Sequence, residues 1–159
     1  MDSFMQLASE EARQGADENN FPVGSVIVKD GEVIGVGHNR HRETGDPTSH
    51  AEIEAIRDAA RRAPGVDPSD LFGGAVCYTT MMPCQMCAGA IIRFGFTKVV
   101  VAEVETYVDS GAQPLMERQG LAVEVGREQD CIDLVETYCQ SDPAFEQIMR
   151  SARRGRLEL

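Results

Sequence analysis

Two short segments of the chain hold residue types that together can do chemistry: His50-Ala51-Glu52 and Pro83-Cys84-Gln85-Met86-Cys87. Cysteines at i and i+3 share one face of a helix and can converge on one metal ion. A helix N-terminus draws such thiols toward the thiolate that zinc requires, and His50 adds an imidazole nitrogen. One histidine and two cysteines leave the fourth tetrahedral position of a zinc ion open to water, the pattern of a catalytic site; a structural site would be closed. Zinc lowers the pKa of such a water to about 7, and Glu52, two residues beyond His50, is the carboxylate placed to take its proton and pass it on. Each piece alone is weak, since a histidine at a helix start is usually a cap or surface residue and a lone C-x-x-C serves a redox pair or a structural zinc equally well. The reading rests on their joint occurrence, with one Zn2+ per subunit held by His50, Cys84 and Cys87.

The elements that must position these residues are legible in the hydrophobic period, which switches repeatedly between helical and extended spacing. Ser3 to Arg13 places Phe4, Leu7, Ala8 and Ala12 on one helical face, with Gly15 as the expected stop. Val23 to Lys29 and Glu32 to Gly37 are β-branched runs joined by Asp30-Gly31, a pair suited to the positive φ angles of a two-residue hairpin turn. Ser49 to Arg62 reads as a second helix, capped by Thr48 or Ser49, and Ala63 to Gly74 as a loop. Ala75 to Thr80 is a short strand, after which Pro83 opens a third helix that stops near Gly95. Lys98 to Val104 and Leu121 to Val125 extend the sheet, and Cys131 to Cys139 and Phe145 to Arg153 are terminal helices. Strands alternating with helices predict an α/β unit with the sheet covered on both faces.

Composition narrows the partners. At 159 residues, 42% hydrophobic and 26% charged, the chain is expected to fold as one globular domain over 1–159. It has no run of apolar residues long enough to span a bilayer. The acidic N-terminus lacks the basic and apolar regions of a secretory signal, so the cytoplasm is the expected compartment. Five cysteines in a reducing compartment argue against a disulfide framework; Cys77, Cys131 and Cys139 read as small buried hydrophobes, and His38 and His41 as hydrogen-bonded loop residues. A net charge of -11 opposes binding to a phosphate backbone. The basic cluster Arg150, Arg153, Arg154 and Arg156 reads as a solvated helix end.

The two segments match the H-x-E and P-C-x-x-C signature of zinc-dependent deaminases. With Phe21-Pro22-Val23-Gly24, Gly37-His38-Asn39-Arg40 and the run Thr79 to Ile92, the chain resembles the fungal cytosine deaminase branch of the cytidine deaminase superfamily over nearly its whole length. Arg93-Phe94-Gly95, Val101-Ala102-Glu103, Tyr107, Gly111 and Arg118 fall in step with it. That resemblance implies a three-layer α/β/α sandwich around a central five-stranded mixed sheet, assembled as a homodimer, and hydrolytic deamination of a small nucleobase-like substrate with release of ammonia. It also implies that Asn39 hydrogen-bonds the pyrimidine edge and that the backbones of Ala51 and Met82 line the zinc pocket. By turn chemistry alone the alternative for Asn39 is a turn residue after a strand, and Tyr107 is a pocket wall or a core aromatic.

The departures bear on substrate. Where the fungal enzymes close over the base with a Trp and an Asp, the matching positions are Ala144 and Gln147, and Arg42 stands where an aromatic is expected. Loss of a wall enlarges a pocket, and Arg42 and Gln147 would offer polar contacts to the substrate. Cytosine or an analogue is the leading substrate. Guanine or another aminated purine or triazine is the alternative, and tRNA adenosine or a non-catalytic zinc-stabilised domain is disfavoured by the acidic charge and by Glu52 respectively.

Overall fold

The computed structural model describes residues 2–107 and 111–153, with side chains described as far as Met149. Helix α1 (Ser3–Asp17) starts where the Asp2 carboxylate accepts the free Phe4 and Met5 amides, and it buries Met5, Ala8, Ala12 and Gly15. Two expectations fail here. Leu7 is exposed, because the buried stripe runs one residue to the side, through Met5. Gly15 does not stop the helix: a Cβ there would lie 3.2 Å from the His38 Cβ, so the glycine serves close approach, and the chain turns instead at Asn19 (φ 63°).

The hairpin forms as expected, with β1 (Gly24–Lys29) antiparallel to β2 (Glu32–His38) and left-handed Asp30 (φ 52°) and Gly31 (φ 82°) in the turn. After β2 come a four-residue helix α2 (His41–Thr44), then α3 (Ala51–Arg62). The cap of α3 is His50 itself, and its side chain makes no capping bond. Thr48 and Ser49, the expected caps, are engaged elsewhere: Thr48 Oγ1 donates to Asp46 and Ser49 Oγ accepts from Arg57. The expected loop at 63–74 contains a short helix α4 (Pro68–Phe72), signalled by the Asp67 cap and the Pro at its first position.

Strand β3 (Val76–Thr79) leads to α5 (Gln85–Arg93), with Cys84 as its cap and Pro83 just outside. Strand β4 (Lys98–Val101) is shorter than its apolar pattern suggested, and α6 (Ala112–Arg118), unanticipated, crosses to β5 (Ala122–Val125). The order is β2-β1-β3-β4-β5, antiparallel across β1 and parallel from β3 to β5, which is the expected five-stranded mixed sheet. Along β1, Ile27 packs with Ala55, Ile56 and Ile91 on the α3 and α5 face, while Val26 and Val28 pack with Met5, Ala8 and Cys131 on the α1 face.

Two glycines set how closely α3 approaches the sheet. A Cβ at Gly35 would lie 2.4 Å from the Ala55 carbonyl and one at Gly37 2.5 Å from the Ala55 nitrogen, so the helix backbone rests directly on β2. Helices α7 (Gln129–Ser141) and α8 (Pro143–Arg153) meet at Asp142. Phe145 and Met149 of α8 join Met81, Val135 and Phe21 in a separate apolar cluster beside the sheet's end. The charged ends of the basic cluster at Arg150, Arg153, Arg154 and Arg156 lie outside the described side chains. No helix among the described residues is long and apolar enough to cross a membrane.

Candidate active site

His50 and Cys84 are the cap residues of α3 and α5, which sets both side chains at the helix starts. Both side chains are therefore available where two helix N-termini converge, and Cys87, one turn into α5, completes a group of three. His50 Nδ1 lies 3.5 Å from Cys84 Sγ and 3.6 Å from Cys87 Sγ, and the two sulfurs are 3.7 Å apart. Tetrahedral zinc with ordinary Zn–S and Zn–N lengths requires edges of about 3.6 Å between sulfur and nitrogen and about 3.8 Å between the sulfurs. The residues present thus fit the ion, and Nδ1 is the histidine atom that would bind it. The Cys84 thiol is held down at about 4, first by its hydrogen bond with Cys87 and also by His50 and the Cys87 amide. The positive ends of both helices act in the same direction.

Glu52 is 4% exposed, and its Oε1 accepts a hydrogen bond from Thr79 Oγ1 at 3.1 Å. Burial pushes its carboxyl well up, because the charged form loses its hydration. His38 and His41, by contrast, stand apart from the metal ligands. His38 lies in β2 rather than a loop, bridging Glu11 and Glu18, and His41 opens α2 with its ring 5.9 Å from that of Phe21. Cys77 and Cys131 are buried, while Cys139 is only half-buried.

His50, Glu52 and Cys84 open into a cavity of about 180 Å³, together with Asn39, Ala51, Met82 and Tyr107 of the expected set. Asn39 is buried, and its Oδ1 accepts the His41 backbone N–H at 3.0 Å. The amide orientation is thereby fixed, with Nδ2 left as a donor that can meet an acceptor. Tyr107 follows a loop organised by fully buried Glu103, whose carboxylate accepts the Glu105 and Thr106 amides at 2.6 and 2.8 Å.

Gln147 and Arg42 are not brought into the cavity. Gln147 and Ala144 lie on the exposed side of α8, and the same helix instead turns Phe145, Ile148 and Met149 inward, opposite Phe21 and Val23. Phe145 stacks on Phe21 with ring centroids 4.7 Å apart. An aromatic wall is supplied one residue further on than Ala144, by Phe145. Arg42 packs behind this pair, its guanidinium 4.9 Å from the Phe21 centroid. A helical offset of one residue is what sequence matching across a short terminal helix resolves least well; the 3.6-residue spacing of Phe145, Ile148 and Met149 was the available signal.

Residues 1–103 match the family model of the cytidine and deoxycytidylate deaminase zinc-binding region. A cytosine deaminase of Candida albicans is 32% identical over 140 residues, 87% of this chain and 89% of that protein. A tRNA-specific adenosine deaminase of Streptococcus pyogenes is 34% identical over 145 residues, 85% and 87% of the two chains. The structure of a guanine deaminase from Nitrosomonas europaea superposes with TM-score 0.72 at 27% identity, covering 85% of this chain and 82% of that one. The sandwich around the five-stranded sheet is thus a cytidine deaminase-like fold. Its sequence match falls on the helix starts where three ligand atoms stand at zinc spacing, and the chain belongs to the zinc-binding cytidine and deoxycytidylate deaminase family, enzymes that hydrolyse a C–N bond to remove an amino group.

Proposed function

We propose that the protein deaminates a free nucleobase, cytosine or a close analogue, in the cytoplasm. The observation that carries this reading is the roof: Phe145, Ile148 and Met149 of α8 meet Phe21 over a cavity of about 180 Å³ that contains Glu52. Space of that size and apolar character suits one planar heterocycle sandwiched between side chains. A base still attached to a polynucleotide would need an open mouth and basic surroundings, whereas this chain carries a net charge of -11. The aromatic at Phe145 favours cytosine over a bulkier purine or triazine, the second candidate class.

When bound by His50, Cys84 and Cys87, zinc supplies Lewis acidity that makes water a nucleophile near neutral pH. The free Asn39 Nδ2 donor holds the ring carbonyl, and the walls around Phe21 keep the ring plane fixed and exclude bulk water. Oxygen from water adds to the carbon bearing the amino group while Glu52 takes the water's proton and places it on the adjacent ring nitrogen. Glu52 then carries the hydroxyl proton to the amine, the C–N bond breaks, ammonia leaves and the carbon keeps a carbonyl. Thr79 holds Glu52 in reach throughout. The experiment is ammonia release by the zinc-loaded protein from cytosine, guanine, an aminated triazine and a tRNA. Turnover of cytosine above the others supports the reading, and turnover confined to tRNA or to a purine overturns it. A homodimer completes the proposal, as the resemblance to the cytosine deaminase branch implies; light scattering of a monomer at micromolar concentration would contradict it.

A further inference from the structure

We propose that Arg42 is a latch for the roof helix: paired with Asp142, it holds α8 closed over the cavity and so sets how tightly substrate is retained. Asp142 occupies the junction of α7 and α8 and does two things at once. Its Oδ1 accepts the Ala144 and Phe145 amides at 3.1 Å each, capping α8, and its Oδ2 pairs with the Arg42 guanidinium. One carboxylate therefore ties the start of the roof to α2, which begins two residues after Asn39. These N–H groups and the guanidinium hold the Asp142 carboxyl below its usual range, the Phe145 amide contributing most.

The arginine also braces the wall from behind. Its Nη1 donates to the Tyr138 hydroxyl at 3.0 Å, and its guanidinium lies 4.9 Å from the Phe21 centroid and 5.9 Å from that of Tyr138. Tyr138 in turn meets Phe145 edge to face at 5.2 Å. A planar, always charged group can stack and form a directed ion pair simultaneously, which an ammonium cannot. The pair is shielded, with side-chain exposures of 29% for Arg42 and 16% for Asp142, so it is screened less than a surface bridge. Ile148, which lines the cavity, is nevertheless 52% exposed, so the roof is one thin helix held at its start. Arg42 touches no lining position directly from inside the cavity and acts through α8 and Phe21; it is a positioning residue.

The test uses R42Q, D142N and the double variant, all zinc-loaded. The amide that D142N introduces keeps an oxygen for the α8 cap and loses only the charge, which separates the latch from the cap. Hydrogen exchange of α8 amides should accelerate at least about tenfold in each single variant, the scale of one lost charge-assisted hydrogen bond, while exchange in α3 stays unchanged. KM for the best base should rise by about the same factor with kcat retained, and the double variant should add little to either single one. Unchanged α8 exchange in folded R42Q and D142N overturns the latch, and so do additive effects or faster exchange with KM unaltered. The kinetic arm rests on the proposed nucleobase reading, but exchange does not: a wild-type protein inert to every base would sink that reading while the exchange result still decided the latch.

Discussion

Glu52→Gln isolates the one property of Glu52 that the proposed chemistry needs. The side chain is 4% exposed, and its Oε1 accepts from Thr79 Oγ1 at 3.1 Å. A glutamine carbonyl in the same place accepts the same bond, so the Thr79 contact and the local packing survive. The second oxygen becomes an NH2 group, which cannot accept a proton. Because burial already disfavours the carboxylate, a neutral amide relieves desolvation rather than adding to it, and the melting temperature should not fall. Loss of a positioned acid/base costs roughly 10² to 10⁴ in rate, or about 2.7 to 5.4 kcal/mol of barrier. The loss should lie in kcat, with KM for the base near the wild-type value, because Asn39 and the aromatic walls that hold the ring are untouched. Ammonia release under saturating base gives kcat, metal analysis gives zinc per subunit, and melting checks the fold. A folded, zinc-replete E52Q enzyme within about tenfold of wild-type kcat would place the proton shuttle elsewhere and refute the role assigned to Glu52.

Two further variants probe the scaffold. In Gly37→Ala the new Cβ would lie 2.5 Å from the Ala55 nitrogen, forcing α3 off β2 at a cost of about 1–3 kcal/mol; since α3 carries His50 and Glu52, melting temperature and zinc affinity should fall together, and unchanged values for both would show that the helix does not set the site. His38 bridges Glu11 at 2.9 Å and Glu18 at 3.0 Å, and the Glu11 bond chiefly raises its pKa. The stabilisation is therefore full below its ordinary value of 6.5 and disappears as pH rises through the raised folded value. The melting-temperature gap between wild type and His38→Gln should narrow with rising pH; a constant gap would mean that the imidazolium is not what the carboxylates hold.

The zinc ligands were legible because their chemistry demands fixed residue types at fixed spacing, and His50, Cys84 and Cys87 need only short helical segments to converge. The hairpin at Asp30-Gly31 was legible for a similar reason: few residues tolerate that turn. Misplaced features depend on packing across the molecule. Gly15 looks like a helix stop until His38 is placed against it, and the strand of Lys98 to Val104 ends early because Glu103 turns inward to gather the Glu105 and Thr106 amides. Gln147 looked like a substrate contact because position along the chain says nothing of which side of a terminal helix faces a cavity, and Arg42 because its partner Asp142 lies a hundred residues further on. Only the burial of Phe145 and Met149 fixes that rotation, and it depends on Phe21 from the far end of the chain.

Topology explains why the chemistry and the substrate wall are so differently encoded. Strands β2 and β3 both run antiparallel to β1, and β4 runs parallel to β3, so the carboxyl ends of all three lie at one edge of the sheet. Asn39 follows β2, Met82 and Cys84 follow β3, and Tyr107 follows β4, while α3 begins at this edge with His50 and Glu52. Ligands bind outside the carboxyl ends of strands in many α/β sheets because the following helix starts place free N–H groups and positive dipole ends there. Here two such starts, those of α3 and α5, flank the three ligand residues, so His50, Cys84, Cys87 and Glu52 are locked to the sheet by Gly35, Gly37 and the parallel core. The roof has no such anchorage. Phe145, Ile148 and Met149 come from a C-terminal helix that touches the site only by side chains and whose start is tied down at Asp142. A scaffold of this kind can keep hydrolytic deamination constant while the roof changes, which fits relatives named for cytosine, guanine and tRNA adenosine sharing one fold. Substrate choice in this chain should accordingly follow changes to α8 and its latch more than changes within the sheet.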